Sequence, residues 1–146
     1  MPPIVRRALR GAGWPRAMFD QLDYIYSPCA DVAAEVRYLE ETLGARVVFA
    51  IDGMGARVAM LELGSVPPHL LLADHLDGER PILVFRVDDL DATVRALRSR
   101  GWRTGTRLEI PQGPVCSFET PSGERLAIYQ LTRPGVIQSF AGRRDF

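Results

Sequence analysis

The sequence predicts an α+β fold made of two copies of one β-α-β-β-β unit, and three observations carry that reading. DVAAEVRYL (residues 31–39) returns as DLDATVRAL (89–97), matching Asp31/Asp89, Ala34/Ala92, Val36/Val94, Arg37/Arg95 and Leu39/Leu97 at an offset of 58. Each copy follows an apolar strand-like stretch, LDYIYS (22–27) or ILVFRV (82–87). Each then leads into three strand-like segments separated by turn signals. One such unit is too small for a good core, whereas two can share one.

In the first unit, Asp31 suits the N-cap or first turn of a helix. Val32, Val36, Leu39 and Leu43 fall on one face of that helix at the 3.6-residue period, and Gly44 ends it. Strands follow at RVVFAI (46–51), RVAMLEL (57–63) and HLLLAD (69–74), parted by DGMG and GSVPP. The second unit repeats the plan with Asp89, then Leu90, Val94 and Leu97, then Gly101 as the stop. Its later strands are WRTGTRL (102–108), VCSFE (115–119) and RLAIYQ (125–130), parted by IPQG and TPSG. The domain organisation expected is therefore a basic extension (1–17), a first module (18–76), a second module (77–131) and a tail (132–146). In the tail, Pro134 and Gly135 break the last strand, and VIQSF (136–140) forms a turn or two of helix with Val136, Ile137 and Phe140 free to dock. It packs on the outside of the domain, or else closes a cavity mouth or lies on a partner chain, with Phe140 or Phe146 as anchor.

Composition narrows the function classes. With 47% apolar and 25% charged residues the chain is that of an ordinary globular protein. Its net charge of zero supplies no general pull toward nucleic acid or an anionic membrane. No apolar run approaches a membrane span, and the N-terminus lacks the apolar stretch of a signal peptide, so a cytoplasmic location is expected. Every basic side chain is Arg, which suits bidentate pairing with carboxylates and stacking on rings. Residues 1–17 hold four Arg and no acid, an arm that is solvated or reaches a partner subunit. Two cysteines, Cys29 and Cys116, are too few for a disulfide framework and read as two reduced thiols, with one bridge between them as the alternative.

FRVDDLDATVRALRSRG and ETPSGERLAIYQ, with LDYIYSP and YLEETLGARVV in the first half, resemble the vicinal oxygen chelate superfamily, which includes glyoxalase I, extradiol dioxygenases and bleomycin-resistance proteins. The resemblance spans roughly residues 18–131. It implies a pseudo-twofold pair of βαβββ modules whose mixed β-sheet curls into a cup, with the helices outside and a ligand site within. In the drug-binding relatives two chains pair, so a homodimer is expected. The family's enzymes hold a divalent metal through one first-strand and one last-strand residue of each module. Those positions fall here on Tyr24, Leu71, Ile82 and Ala127. One phenol and three hydrocarbon side chains are a poor donor set for such an ion, so no metal is expected.

Strand alternation drafts the rest of the lining. Leu22, Tyr24 and Tyr26 come from the first strand, and Val58, Met60 and Glu62 from the third. His69, Leu71 and Ala73 come from the fourth, and Ile82, Val84 and Arg86 from the fifth. Arg125, Ala127 and Tyr129 come from the last. Ile25, Leu83, Phe85, Leu126 and Ile128 should pack beneath the helices, while VCSFE leaves the face of Cys116 and Phe118 open. His69 and His75 sit six residues apart, roughly 20 Å if extended, so they cannot share one ion. A site near Glu62 and His69 is the alternative metal centre. Apolar and aromatic walls with a few Arg, Tyr and His tips suit a hydrophobic or aromatic small molecule. The expected function is metal-independent small-molecule binding, as in the sequestering antibiotic-resistance relatives. The alternatives are a glyoxalase, dioxygenase or lyase type of enzyme with atypical metal ligands or none, and a regulatory or interaction module whose cup has closed.

Overall fold

A computed structural model describes residues 17–103 and 105–146. The N-terminal extension, Ala17 apart, lies outside the described residues. The chain forms β1 (Gln21–Pro28), α1 (Val32–Glu41), β2 (Arg46–Gly53), β3 (Ala56–Glu62) and β4 (His69–Ala73). The order then repeats as β5 (Ile82–Val87), α2 (Leu90–Ser99), β6 (Thr106–Ile110), β7 (Gly113–Glu119) and β8 (Arg125–Gln130), before a short α3 (Val136–Phe140). All eight strands make one mixed sheet in the order β2-β3-β4-β1-β5-β8-β7-β6. Each unit pairs its first strand with its last in parallel, β1 with β4 and β5 with β8, and the units join through antiparallel β1 and β5.

The repeat is visible in the local chemistry. Asp31 accepts a hydrogen bond from Ala34 N–H at 3.0 Å, and Asp89 accepts one from Ala92 N–H at 3.0 Å, so both helices start on the same side-chain cap. α1 buries Val32, Val36 and Leu39 against Ala50, Ala59, Leu61 and Leu72. α2 buries Leu90 and Val94 against Val87, Cys116 and Ile128. Each fully buried aliphatic chain contributes roughly 1.5–3 kcal/mol. Leu43, expected on the buried face of α1, is instead half exposed. The helix ends before it, and Gly44 at φ 71° turns the chain so that Ala45 N–H closes on Leu39 O at 2.9 Å.

One strand starts later than its sequence suggests. β6 begins at Thr106, because Trp102 turns into the core beneath α2, its ring edge-on to Phe118 at 5.4 Å. The chain must then pass close over that ring. A Cβ on Gly105 would lie 2.6 Å from both Trp102 and the Cys116 sulfur, so any larger residue there forces one of those side chains to shift. Cys116 and Phe118 pack on the helix side of the sheet, which settles the open face of β7. Val115 and Ser117 point to the other side, where Ser117 sits in register with Ala127.

The side of the sheet away from α1 and α2 is the concave one. It carries a second core of Tyr24, Val48, Phe49, Met60, Val84, Val115, Ala127 and Tyr129. The tail crosses part of this face and ends at the free edge of β2. There Gly142 N–H donates to Val48 O, Ala50 N–H to Arg143 O, and Asp145 N–H to Ala50 O, at 2.7–2.8 Å. Of the alternatives for the tail, it is therefore closure over the concave face, with Phe140 as the ring that docks there.

Candidate functional site in the concave face

The concave face gathers nine of the residues that strand alternation assigns to it and loses one. Tyr24, Met60, Val84, Ala127 and Tyr129 are buried in its core, and Tyr26, Val58, Leu71 and Ile82 pack against them. Leu22 is the one lost. A β-bulge between Leu22 and Tyr24 inserts an extra residue, so Leu22 pairs with Phe85, which faces α2, while Tyr24 pairs with Val84. The inserted residue, Asp23, turns into the cup in place of Leu22.

Asp23 is a buried carboxylate, 7% exposed. Tyr129 O–H donates to its Oδ2 at 2.5 Å, Gln21 Nε2 donates to its Oδ1, and Arg86 Nε stands 3.5 Å from Oδ2. Tyr24 lies beside this group, its ring 6.0 Å from that of Tyr129, with the side chain of buried Gln112 as a further partner. Burial, and then the bond to Asp23, pushes the Tyr129 phenol far above the ordinary range. Burial also raises Tyr24 and Tyr26. The result is a neutral phenol donating to a buried carboxylate, with a guanidinium at its edge. Periodicity misses Asp23 and Gln112, since a bulge is invisible to strict alternation and Gln112 lies in the β6–β7 turn. An aspartate inside an otherwise apolar-alternating strand is the signal that points to it.

The other polar side chains are occupied in holding the scaffold. Glu62 accepts from Arg46 Nη2 and Nε at 2.7 and 2.9 Å and lies 2.9 Å from His69 Nε2. Arg46 first, then His69, pulls its carboxyl down to about 2. Arg125 Nη1 donates to Asp77 O and Arg80 O at 2.7 and 2.9 Å, pinning the segment that links the two units. His75 Nε2 lies 3.4 Å from Tyr26 O–H. Beside this end is a cleft of about 190 Å³ lined by Ile82, Thr106, Ser117, Phe118, Glu119, Arg125 and Leu126.

The matching sequence profile is that of the Glyoxalase/Bleomycin resistance protein/Dioxygenase superfamily, over residues 21–128. The chain belongs to this superfamily. No curated protein sequence matches it. Among solved structures it is similar to methylmalonyl-CoA epimerase from Mycobacterium tuberculosis, with 22% identity, TM-score 0.68, and 83% of this chain and 94% of that one covered. A methylmalonyl-CoA epimerase from Streptomyces coelicolor, solved with 2-nitronate-propionyl-CoA, gives 21% identity, TM-score 0.61, and 78% and 99% coverage. A hypothetical protein from Bacillus halodurans gives 15% identity, TM-score 0.60, and 75% and 93% coverage. At these identities the likeness is one of fold.

Superfamily membership raises the question of a divalent metal, and the donor set does not fit one. Tyr24 and Ala127 are core residues of the concave face, and Leu71 and Ile82 pack against that core. Tyr24, the one oxygen donor of the four, is a phenol that burial holds protonated. The alternative at Glu62 and His69 fits no better. Both carboxylate oxygens already accept from Arg46, whose positive charge repels a cation. Among the described residues no group of three or more His, Cys, Asp or Glu side chains converges. No helix among them is long and apolar enough to cross a membrane.

Proposed function

We propose that this protein binds a small organic molecule, hydrophobic or aromatic, on the concave face of its sheet without help from a metal ion. It does so in the cytoplasm, as a homodimer, in the manner of the sequestering members of its superfamily. The observation that carries the reading is the chemistry at Tyr24, Leu71, Ile82 and Ala127. A protonated phenol and three hydrocarbon side chains make an apolar wall, with Leu71 and Ile82 only partly buried, and a poor donor set for a cation. The cleft beside Ile82 supports it, since it opens that surface to solvent next to the hydroxyls of Thr106 and Ser117 and the Arg125 guanidinium. The outer strand β6, exposed from Thr106 to Glu109 with Leu108 half exposed, supports pairing with a second copy.

The test is elemental analysis of protein purified without a metal-affinity tag, followed by thermal-shift screening of aromatic compounds with and without chelator. Metal well below stoichiometry and ligand-induced shifts that survive chelation are expected. Tyr24→Ala and Arg86→Ala should weaken the binding. Stoichiometric Zn, Ni, Mn or Fe, with ligand shifts lost on chelation, overturns the proposal. Sedimentation measures the dimer separately.

A second reading, a proton-transfer enzyme, is favoured by Asp23. A carboxylate buried between a phenol and a guanidinium is equipped to hold or pass a proton. Under that reading a carbon acid exchanges its proton with D2O in the presence of the protein, and Asp23→Asn abolishes the exchange.

A further inference from the structure

The C-terminal segment is held firmly at both ends and weakly in the middle. At its start, Thr132 N–H and Arg133 N–H both donate to Gln112 O at 3.0 Å. The Arg133 guanidinium adds bonds to Pro111 O, Ile110 O and Glu109 at 2.6–2.7 Å. At its end the backbone pairs with β2, Asp52 N–H donates to Asp145 Oδ2 at 2.8 Å, and Arg144 pairs with Glu40 at 2.9 Å. Phe146 packs into the core under α1, with the Arg57 guanidinium over its ring at 5.0 Å. Between these anchors stands α3, five residues long. Its N-cap, Gly135, makes no side-chain bond, and none of its side chains is buried. What holds it down is Ile137 and Phe140, which lie on the concave core with the Phe140 ring 5.9 Å from that of Phe49.

We propose that α3 is a displaceable plug in the first unit's half of the cup, and that the surface beneath it is a binding site for an aromatic ring. This rests on the reading of the concave face as a ligand site and adds where the ring sits and how it enters. The tail itself shows what the surface accepts. Phe140 sets a phenyl ring 5.9 Å from that of Phe49, against an apolar core that includes Val48 and the adaptable thioether of Met60. A ligand ring that replaces Phe140 regains those contacts. A single uncapped helical turn loses little on leaving, because so short a helix has almost no stability of its own. The anchors keep the displaced segment tethered, so closure after ligand release is intramolecular and fast. Among the described residues, no helix covers the second unit's half in the same way. Its wall is the open cleft at Thr106 and Ser117.

The test uses the full chain and indole as the aromatic probe. Indole binding to the parent protein should speed amide exchange at Ala141, whose N–H donates to Ile137 O, by about tenfold or more. Exchange at Gly142 and Asp145, bonded to Val48 and Ala50, should not change. Phe140→Ala should bind indole about tenfold more tightly than the parent, because the ligand no longer competes with the ring, and Phe140→Trp more weakly. Phe140 is only partly buried, so the fold tolerates both changes. Indole binding with unchanged Ala141 exchange and equal affinity in all three proteins overturns the plug, while the cup remains a ligand site. No indole binding even by Phe140→Ala, whose site stands open, also overturns it. The metal-free reading is judged apart from both, by the chelator experiment.

Discussion

Removing the Tyr129 hydroxyl gives the most direct measure of the group around Asp23. Tyr129→Phe keeps the ring, which is 1% exposed, and deletes one hydrogen bond to a buried carboxylate. Such a bond is worth about 1.5–3 kcal/mol, and the guanidinium that remains, 3.5 Å away, replaces it only in part. The expected loss is about 2 kcal/mol, or about 6 °C in Tm for a chain of this length. Asp23→Ala should cost about 3 kcal/mol, because it strands the Tyr129 hydroxyl, the Gln21 amide and Arg86 together. Once the carboxylate is gone the hydroxyl has nothing to lose, so the double variant should also sit near 3 kcal/mol. That is a coupling of about 2 kcal/mol. Urea unfolding at pH 7, followed by circular dichroism with the m-value checked for constancy, measures all three. Single effects that simply add would show that the hydroxyl and the carboxylate do not interact, and the buried pair would lose its place in the site.

Two further outcomes test the scaffold. Gly105→Ala should destabilise the fold by about 1–3 kcal/mol, read as a lower urea midpoint, since its Cβ meets the Trp102 ring at 2.6 Å. A neutral result would mean the chain does not pass over that ring as described. Acid should release the Arg46–Glu62–His69 chain. Glu62 has its folded carboxyl held at about 2, so its contribution is fully present above the unfolded value near 4.5 and is lost as the pH falls toward 2. Arg46 is largely exposed, so solvent screening keeps this contribution small. Comparing the parent with Glu62→Gln between pH 6 and pH 3 isolates it, and parallel curves would refute the assignment.

Much of the fold is legible in the sequence because its signals are local and stated twice. β5 and β8 are the ILVFRV and RLAIYQ of the sequence, and both helices begin on the aspartates that the repeat marks. Errors arise where one side chain overrides the local pattern. Trp102 is large enough to draw the chain out of a strand, and Leu43 follows a helix that has already ended. The candidate site is less legible for a related reason. Alternation assumes one residue per step, and the bulge in β1 breaks that count at Leu22 and Asp23. Gln112 and the docking of Phe140 depend on contacts between segments far apart in the chain, which no local pattern encodes.

The duplication also explains why the site is lopsided. Two equal units joined through antiparallel β1 and β5 would produce a symmetric cup, with equivalent groups on both sides of the joint. Two features outside the repeat break that symmetry. The bulge places a carboxylate at the start of β1, where it meets Tyr129 of the other unit across the joint. The tail starts from β8 in the second unit, is fixed at the β6–β7 turn, and finishes in a short backbone bridge to β2 of the first. Both devices span the two units, so each ties the halves together while making them unlike. One half is covered by the chain's own phenylalanine, and the other keeps an open cleft. The two walls of the face therefore differ, although they belong to units whose helices open on the same repeated sequence and the same aspartate cap.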